Sequence, residues 1–202
     1  MDKIARKEGN KSVTSLWLFC EGDTECNYFT QLRAVERIRG LQIRPVKSAD
    51  KRITDIVSYS MKYLDHNPYY LQGDIIVYVF DRDKNTNADF NAAKEDVNIT
   101  NPDLQLILSN PCFELWILLH FESYSEAIQP QKLKVKLREH MGAYNKNDKN
   151  IYYKTKDNID AARKHSKKLY QTHMNKNGIL CEESNPSTMM FQLIEMIEQY
   201  KE

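Results

Sequence analysis

The chemistry in this chain of 202 residues is carried by acids placed at the ends of apolar runs. Glu21 closes Leu16-Trp-Leu-Phe-Cys20 and is followed at once by Gly22-Asp23-Thr24-Glu25. Asp81 and Asp83 close the run Ile75–Phe80 in the same manner. If the two runs are neighbouring strands of a parallel sheet, their ends lie roughly 5 Å apart. Crowded carboxylates repel, and burial drives protons onto them unless a cation compensates. Mg²⁺ or Mn²⁺ is the expected compensator, because hard cations take oxygen ligands and keep waters for substrate phosphates. In an extended Asp81-Arg82-Asp83 both acids fall on one side, and Glu25, one turn into the next helix, adds an oxygen above Glu21. Such a set suits phosphoryl transfer, with water activated and the leaving oxygen stabilised. Taken alone, Glu21–Thr24 also reads as a strand-to-helix turn capped by Asp23 or Thr24, and Asp-x-Asp as a polar loop.

These acids need a frame, and the chain supplies strands alternating with helices. Val13–Cys20 lacks polar alternation after Ser15, as a strand buried on both faces does. Tyr28, Phe29, Leu32 and Val35 follow helical spacing, and Gly40 is the expected stop. A short strand over Leu41, Ile43 and Val46 precedes a helix carrying Ile53, Ile56, Val57, Met61 and Leu64, which ends before Asn67-Pro68. Asp74–Phe80 is the most β-prone run; a helix over 88–97 and a strand over 104–108 follow. Beyond Ser123 the pattern is helical, with candidates at about 130–140, 156–174 and 187–200. This order predicts an α/β fold with a mostly parallel central sheet flanked by helices. The expected division is a flexible arm over 1–12, a core over 13–125, and a basic helical extension over 126–202 packed on that core.

Ser109-Asn-Pro-Cys-Phe-Glu-Leu-Trp-Ile-Leu-Leu-His-Phe121 is a second focus. Asn110 suits an N-cap and Pro111 the first helical position. Apolar groups surround the helix, so Glu114 is expected buried, paired or facing the acids as a metal ligand or proton acceptor. His120 is expected to close the helix through a hydrogen bond. The final helix carries Met189, Met190, Leu193, Ile194, Ile197 and Tyr200, a stripe that reads as core packing or as a partner surface.

The net charge of +1 is unevenly spread. Residues 1–130 carry 15 Lys+Arg against 19 Asp+Glu, whereas residues 131–176 carry 13 against 4. An acidic body beside a basic segment suits a metal site working on a polyanion, and it also describes a solvated helical face. Lys132, Lys134, Lys136, Arg138, Arg163, Lys164, Lys167 and Lys168 are the candidate nucleic-acid-binding groups. Tyr144, Tyr152 and Tyr153 could stack unpaired bases. Cys20, Cys26, Cys112 and Cys181 show no zinc spacing and read as free thiols in a reducing cytoplasm. No apolar run is long enough for a membrane span.

Strand–Glu-Gly–helix followed by strand–Asp-x-Asp is similar to the Toprim fold of topoisomerases, bacterial primases and overcoming-lysogenization-defect nucleases. More narrowly, the chain resembles the RloB family, known also through the abortive-infection protein AbiLii. The match rests on Cys20–Glu25 with Tyr28-Phe29, Phe80–Asp83, Ser109–Trp116 with Leu119-His-Phe121, Tyr153-Lys154 and Asn185–Thr188. The resemblance implies a Toprim-like metal-binding domain in bacterial anti-phage defence, encoded beside an AAA- or ABC-type ATPase. It suggests nuclease activity on DNA or RNA, transfer RNA included, with Glu21, Glu25, Asp81 and Asp83 binding metal and Glu114 completing the acidic site. Lys154 would neutralise charge on the phosphoryl group. Twelve tyrosines are present, but no evident nucleophile-bearing domain, so hydrolysis by activated water is expected over a tyrosine intermediate. A non-catalytic adaptor binding the ATPase or nucleic acid is the alternative, and a metal enzyme acting on small phosphate esters is a third. A homo-oligomer is compatible with each.

Overall fold

The backbone of β1 (Thr14–Cys20) runs through the centre of the molecule, and its side chains divide between two cores. Leu16, Leu18 and Cys20 enter one apolar cluster, while Trp17 and Phe19 enter another, as the two-residue period of a strand requires. β3 (Ile75–Asp81) divides likewise, with Val77 and Val79 on the first side and Ile76, Tyr78 and Phe80 on the second. Burial on both faces is why these runs lack polar alternation. The computed structural model describes residues 13–48, 52–82, 85–100, 104–175 and 182–201, the side chains at 94, 96–100, 104 and 182 excepted. The expected N-terminal arm, Asp83 and Cys181 lie outside the described residues.

The elements follow in the order α1 (Asp23–Glu36), β2 (Leu41–Lys47), α2 (Ile53–Asp65), β3, α3 (Asn87–Thr100), β4 (Leu104–Asn110) and α4 (Glu114–Leu118). Then come α5 (Pro130–Met141), α6 (Ile151–Thr155), α7 (Ile159–Met174), β5 (Ser187–Thr188) and α8 (Met190–Glu198). The sheet order is β2-β1-β3-β4-β5, parallel except for β5 against β4. This is the α/β architecture with a mostly parallel, helix-flanked sheet that the alternation of elements predicts. Ile53, Ile56, Val57 and Leu64 of α2, with Phe90 and Ala93 of α3, cover one face. The other face is covered by α1 together with apolar residues from all of α4 to α8. The basic C-terminal segment therefore contributes Leu133, Leu137, Ala162 and Leu169 to the same core as β1.

Four local expectations are corrected. Arg37, not Gly40, ends α1, in the left-handed region at φ 47° with its N–H on Arg33 O. Gly40 instead answers a close approach, since a Cβ there would stand 3.4 Å from Tyr200 O. Asn110 does not cap a helix and Pro111 does not begin one: Asn110 ends β4 opposite Ser187, the Asn110–Pro111 peptide is cis, and α4 starts at Glu114. The last helix does not begin at 187: Ser187 and Thr188 form β5 first, with Thr188 Oγ1 2.8 Å from Ser109 Oγ. Val35 and Met61, placed on buried helix faces by periodicity, are exposed. Met190, Leu193, Ile194 and Ile197 are buried, so the α8 stripe is core packing.

His120 closes α4 as expected, with Nδ1 2.9 Å from Trp116 O. Its ring is buried, and burial, opposed by the backbone contacts, pushes its pKa down to about 4. In the unfolded chain the same ring titrates near 6.5. Between these values the unfolded state binds more protons, so this group's contribution is full above about pH 6.5 and is lost as pH falls towards about 4. We expect His120→Phe to flatten the acid limb of stability, measured by urea unfolding, by roughly 3 kcal/mol. Parallel acid limbs for wild type and variant would contradict this.

Candidate metal centre

At the carboxyl edge of the sheet, β1 and β3 run side by side, with Cys20 opposite Val79. The next residue, Glu21, anchors its N–H to Val79 O at 3.3 Å, and its Oε2 accepts the Asp81 N–H at 3.2 Å. The strand-end acid of β1 is thereby tied to the strand-end acid of β3, as the parallel pairing predicts. Asp81 continues the Val77–Val79 alternation onto the face covered by α1 and α4, where its Oδ1 accepts the Phe113 N–H at 2.8 Å. The extended backbone stops there. The Arg82 carbonyl accepts the Asn85 N–H at 3.1 Å, and Asp83, expected on the same side as Asp81, lies outside the described residues.

Three ligand atoms converge at this point. One each from Asp81, Cys112 and Glu114 lie within 4.8 Å of one another, all buried, and the group could hold a metal ion. Asp81 and Glu114 were expected; Cys112 was not. Its thiol is pushed well above its usual range by burial, then by the charges of Glu114 and Asp81. Two carboxylates with a thiol form a borderline donor set. Hard cations use the oxygens alone, whereas a softer ion such as Zn²⁺ would also recruit the sulfur.

Glu21 and Glu25 are the further buried acids beside this group. Glu25, in the first turn of α1, is buried, and its pKa is raised to about 8. Burial is the main cause; repulsion from Glu114 and Glu21 adds to it, while its own backbone N–H and Lys146 oppose it. Gly22 makes the arrangement possible. Its backbone is extended, at φ −134°, so no unusual dihedral calls for glycine. A Cβ, however, would stand 2.8 Å from Glu25 Oε2. The Gly therefore lets the Glu25 carboxyl lie over the strand-to-helix turn.

Glu114, at the start of α4, is 1% exposed. Burial works to raise its pKa, but Lys146, the Cys112 thiol, its own backbone N–H and the Tyr144 hydroxyl overcome this, and the net shift is downward. Tyr144 donates to Oε1 at 3.0 Å, and Lys146 Nζ lies 3.2 Å from the same oxygen. Both come from the loop after α5, which Thr24 clamps by donating to Lys146 O at 3.1 Å. Lys146 is half-exposed. Burial would lower its pKa, but Glu114 and Asp81 hold it up at about 12.

Lys146, Tyr144 and Cys112 are thus the contributors that sequence reasoning missed. Lys154, expected at the phosphate, pairs with Asp148 at 2.7 Å, and the lysine beside the acids is Lys146. Asp23 and Thr24 are not side-chain caps: Asp23 pairs with Lys47 at 2.7 Å, and Thr24 makes the loop contact above. Ser109 bonds to Thr188 and Asn110 to Ser184. Tyr144 and Tyr152 point inward, the latter donating to Glu36 at 2.5 Å, while Tyr153 is exposed. Among the basic candidates, Lys136 pairs with Glu122, Arg163 with Glu198 and Glu195, and Lys167 with Glu195. Lys132, Arg138, Lys164 and Lys168 are exposed and Lys134 is half-buried. Among the described residues, no helix is long and apolar enough to cross a membrane.

Glu25 makes a distinctive pH dependence. An unfolded glutamate loses its proton near 4.3, whereas the folded one keeps it to about 8. Within that window the folded state binds more protons, so this group's contribution is full at acid pH and is lost as pH rises through about 8. In chelator, Glu25→Gln is expected to be more stable than wild type at alkaline pH, with the two converging on acidification. A constant difference in urea midpoint across the window would count against a buried, protonated Glu25.

A family model described as RloB-like protein matches residues 16–197, most of the chain. No curated protein and no solved structure matches.

Proposed function

We propose that this chain, which belongs to the RloB-like family, is a metal-dependent nuclease that hydrolyses phosphodiester bonds in DNA or RNA. Its setting would be the cytoplasm, as effector of an anti-phage, abortive-infection response restrained or triggered by a partner ATPase. The observation that carries the reading is the buried convergence of Asp81, Cys112 and Glu114 with Glu21 and Glu25 beside them. Three buried carboxylates, Glu21, Asp81 and Glu114, with the protonated Glu25 beside them, face the Lys146 ammonium and are costly without a further cation.

Asp81 and Glu114 would supply the oxygens for Mg²⁺ or Mn²⁺, with Glu21 and Glu25 within the same edge. When bound, the ion supplies Lewis acidity, lowering the pKa of water and neutralising charge on phosphoryl oxygens. The protein's own groups do the rest. The Phe113 N–H fixes the Asp81 carboxylate, and the Asp81 N–H fixes Glu21. Glu25, which keeps its proton to about pH 8, can donate that proton to a leaving oxygen near neutral pH. Lys146, half-exposed and fully charged at neutral pH, can turn from Glu114 to a phosphoryl oxygen.

One observation favours the alternative, a non-catalytic adaptor. Glu114 already holds Tyr144 and Lys146, a partial compensation within the chain. The two readings separate in an assay with Mg²⁺ or Mn²⁺ on plasmid DNA, single-stranded DNA and total transfer RNA, with and without the cognate ATPase. Cleavage that drops on the order of 100-fold in Asp81→Asn and Glu114→Gln is expected. Equal cleavage by wild type and both variants would remove the active-site assignment, and no cleavage under any condition would favour the adaptor.

A further inference from the structure

Beside the acids lies a polar cleft of about 780 Å³, lined in part by Arg82, Asn87, Asn110, Gln129 and Gln131. It begins where the metal centre ends: Arg82 follows Asp81, and Asn110-Pro111 leads into Cys112. Most of the wall amides are occupied with structure. Asn85 bonds to Ile53 N and Asp81 O, and Asn185 to both polar backbone atoms of Ile128. Two features bring positive charge to the cleft.

The first is Arg82, more than nine-tenths buried. Its guanidinium donates to Asn85 O and to Asn87 Oδ1, and lies over the Phe90 ring at 4.9 Å. These acceptors are neutral, and its Nε has no partner among the described residues. Asp89, the acid nearby on α3, spends its carboxylate on the Thr86 N–H and hydroxyl. Among the described residues no carboxylate forms an ion pair with this buried cation, and neutral acceptors offset its charge only in part. The second feature is the start of α5. Pro130 occupies its first turn, and Gln129 at the N-cap position makes no side-chain cap. The N–H groups of the first turn therefore keep their partial positive charge towards the cleft. Lys132, on the same turn, is exposed.

We propose that this cleft is a phosphate subsite, in which Arg82 and the α5 N-terminus hold a backbone phosphodiester of the strand whose neighbouring phosphate lies at the acids. A buried guanidinium and a helix N-terminus converging on one polar cleft suit a tetrahedral oxyanion. The polymer's identity rests on the nuclease reading; the anion preference does not.

The test is Gln131→Glu. A glutamate in the first turn favours the helix dipole, so the fold is retained, while its charge opposes a phosphate in the cleft. Binding of short fluorescein-labelled single-stranded DNA and RNA oligonucleotides is measured by anisotropy in chelator, so that no cleavage is needed. Gln131→Glu is expected to weaken binding roughly tenfold at low salt and to reduce the salt slope by about one. Gln131→Lys is expected to strengthen it. Affinities indifferent to both charges, or wild type that binds neither oligonucleotide, would overturn the subsite. Charge-sensitive binding without metal-dependent cleavage keeps the subsite and removes the nuclease. Asp81-dependent cleavage with binding indifferent to position 131 does the reverse.

Discussion

Burying Glu21, Glu25, Asp81 and Glu114 along one edge of the sheet concentrates negative charge where solvent cannot dilute it. Each ionised carboxyl in such a place loses several kcal/mol of hydration unless something returns it. The surrounding structure is a series of partial returns. Backbone N–H groups serve Glu21 and Asp81, Tyr144 and Lys146 serve Glu114, and Glu25 keeps its proton. None of these neutralises the set. The opposite edge offers a contrast: Asp74 is equally buried but receives N–H donors from Ser15, Leu71 and the Trp17 indole. That acid is satisfied by the fold itself, which is why it reads as architecture.

The two-sided core makes this edge rigid. β1 and β3 are packed above and below, so the ends that carry Glu21 and Asp81 cannot drift apart without opening both clusters. The C-terminal helices take part in this. By burying Leu133, Leu137, Ile151 and Tyr152 on the β1 face, they place the loop holding Tyr144 and Lys146 across the acids. The basic segment thus acts at the centre through one lysine delivered by a loop, while several of its helical cations are spent on Glu122, Glu195 and Glu198.

Strong periodic signals were legible in advance. The unbroken apolar runs of β1 and β3 announced strands buried on both faces, and their terminal acids followed from the parallel topology. Glu114 was legible as an anomaly, an acid among Cys112, Phe113, Leu115 and Trp116. What escaped had no local signature. β5 is two residues long and exists because Ser109 and Asn110 pair with it across the fold; without that knowledge, Asn110-Pro111 looks like a helix start. Lys146 lies in a loop with no period, and among the many cations of its segment nothing local distinguishes it. Cys112 was read for zinc spacing along the chain, whereas its partners Asp81 and Glu114 meet it only in space.

The central claim is that these buried acids form one cation site. Crystals soaked in Mn²⁺ and measured at the manganese absorption edge test it most directly. The account predicts an anomalous peak within bonding distance of Asp81 and Glu114 carboxylate oxygens in wild type, lost in Asp81→Asn. A pocket with no manganese, or manganese bound only at exposed surface acids, would contradict it.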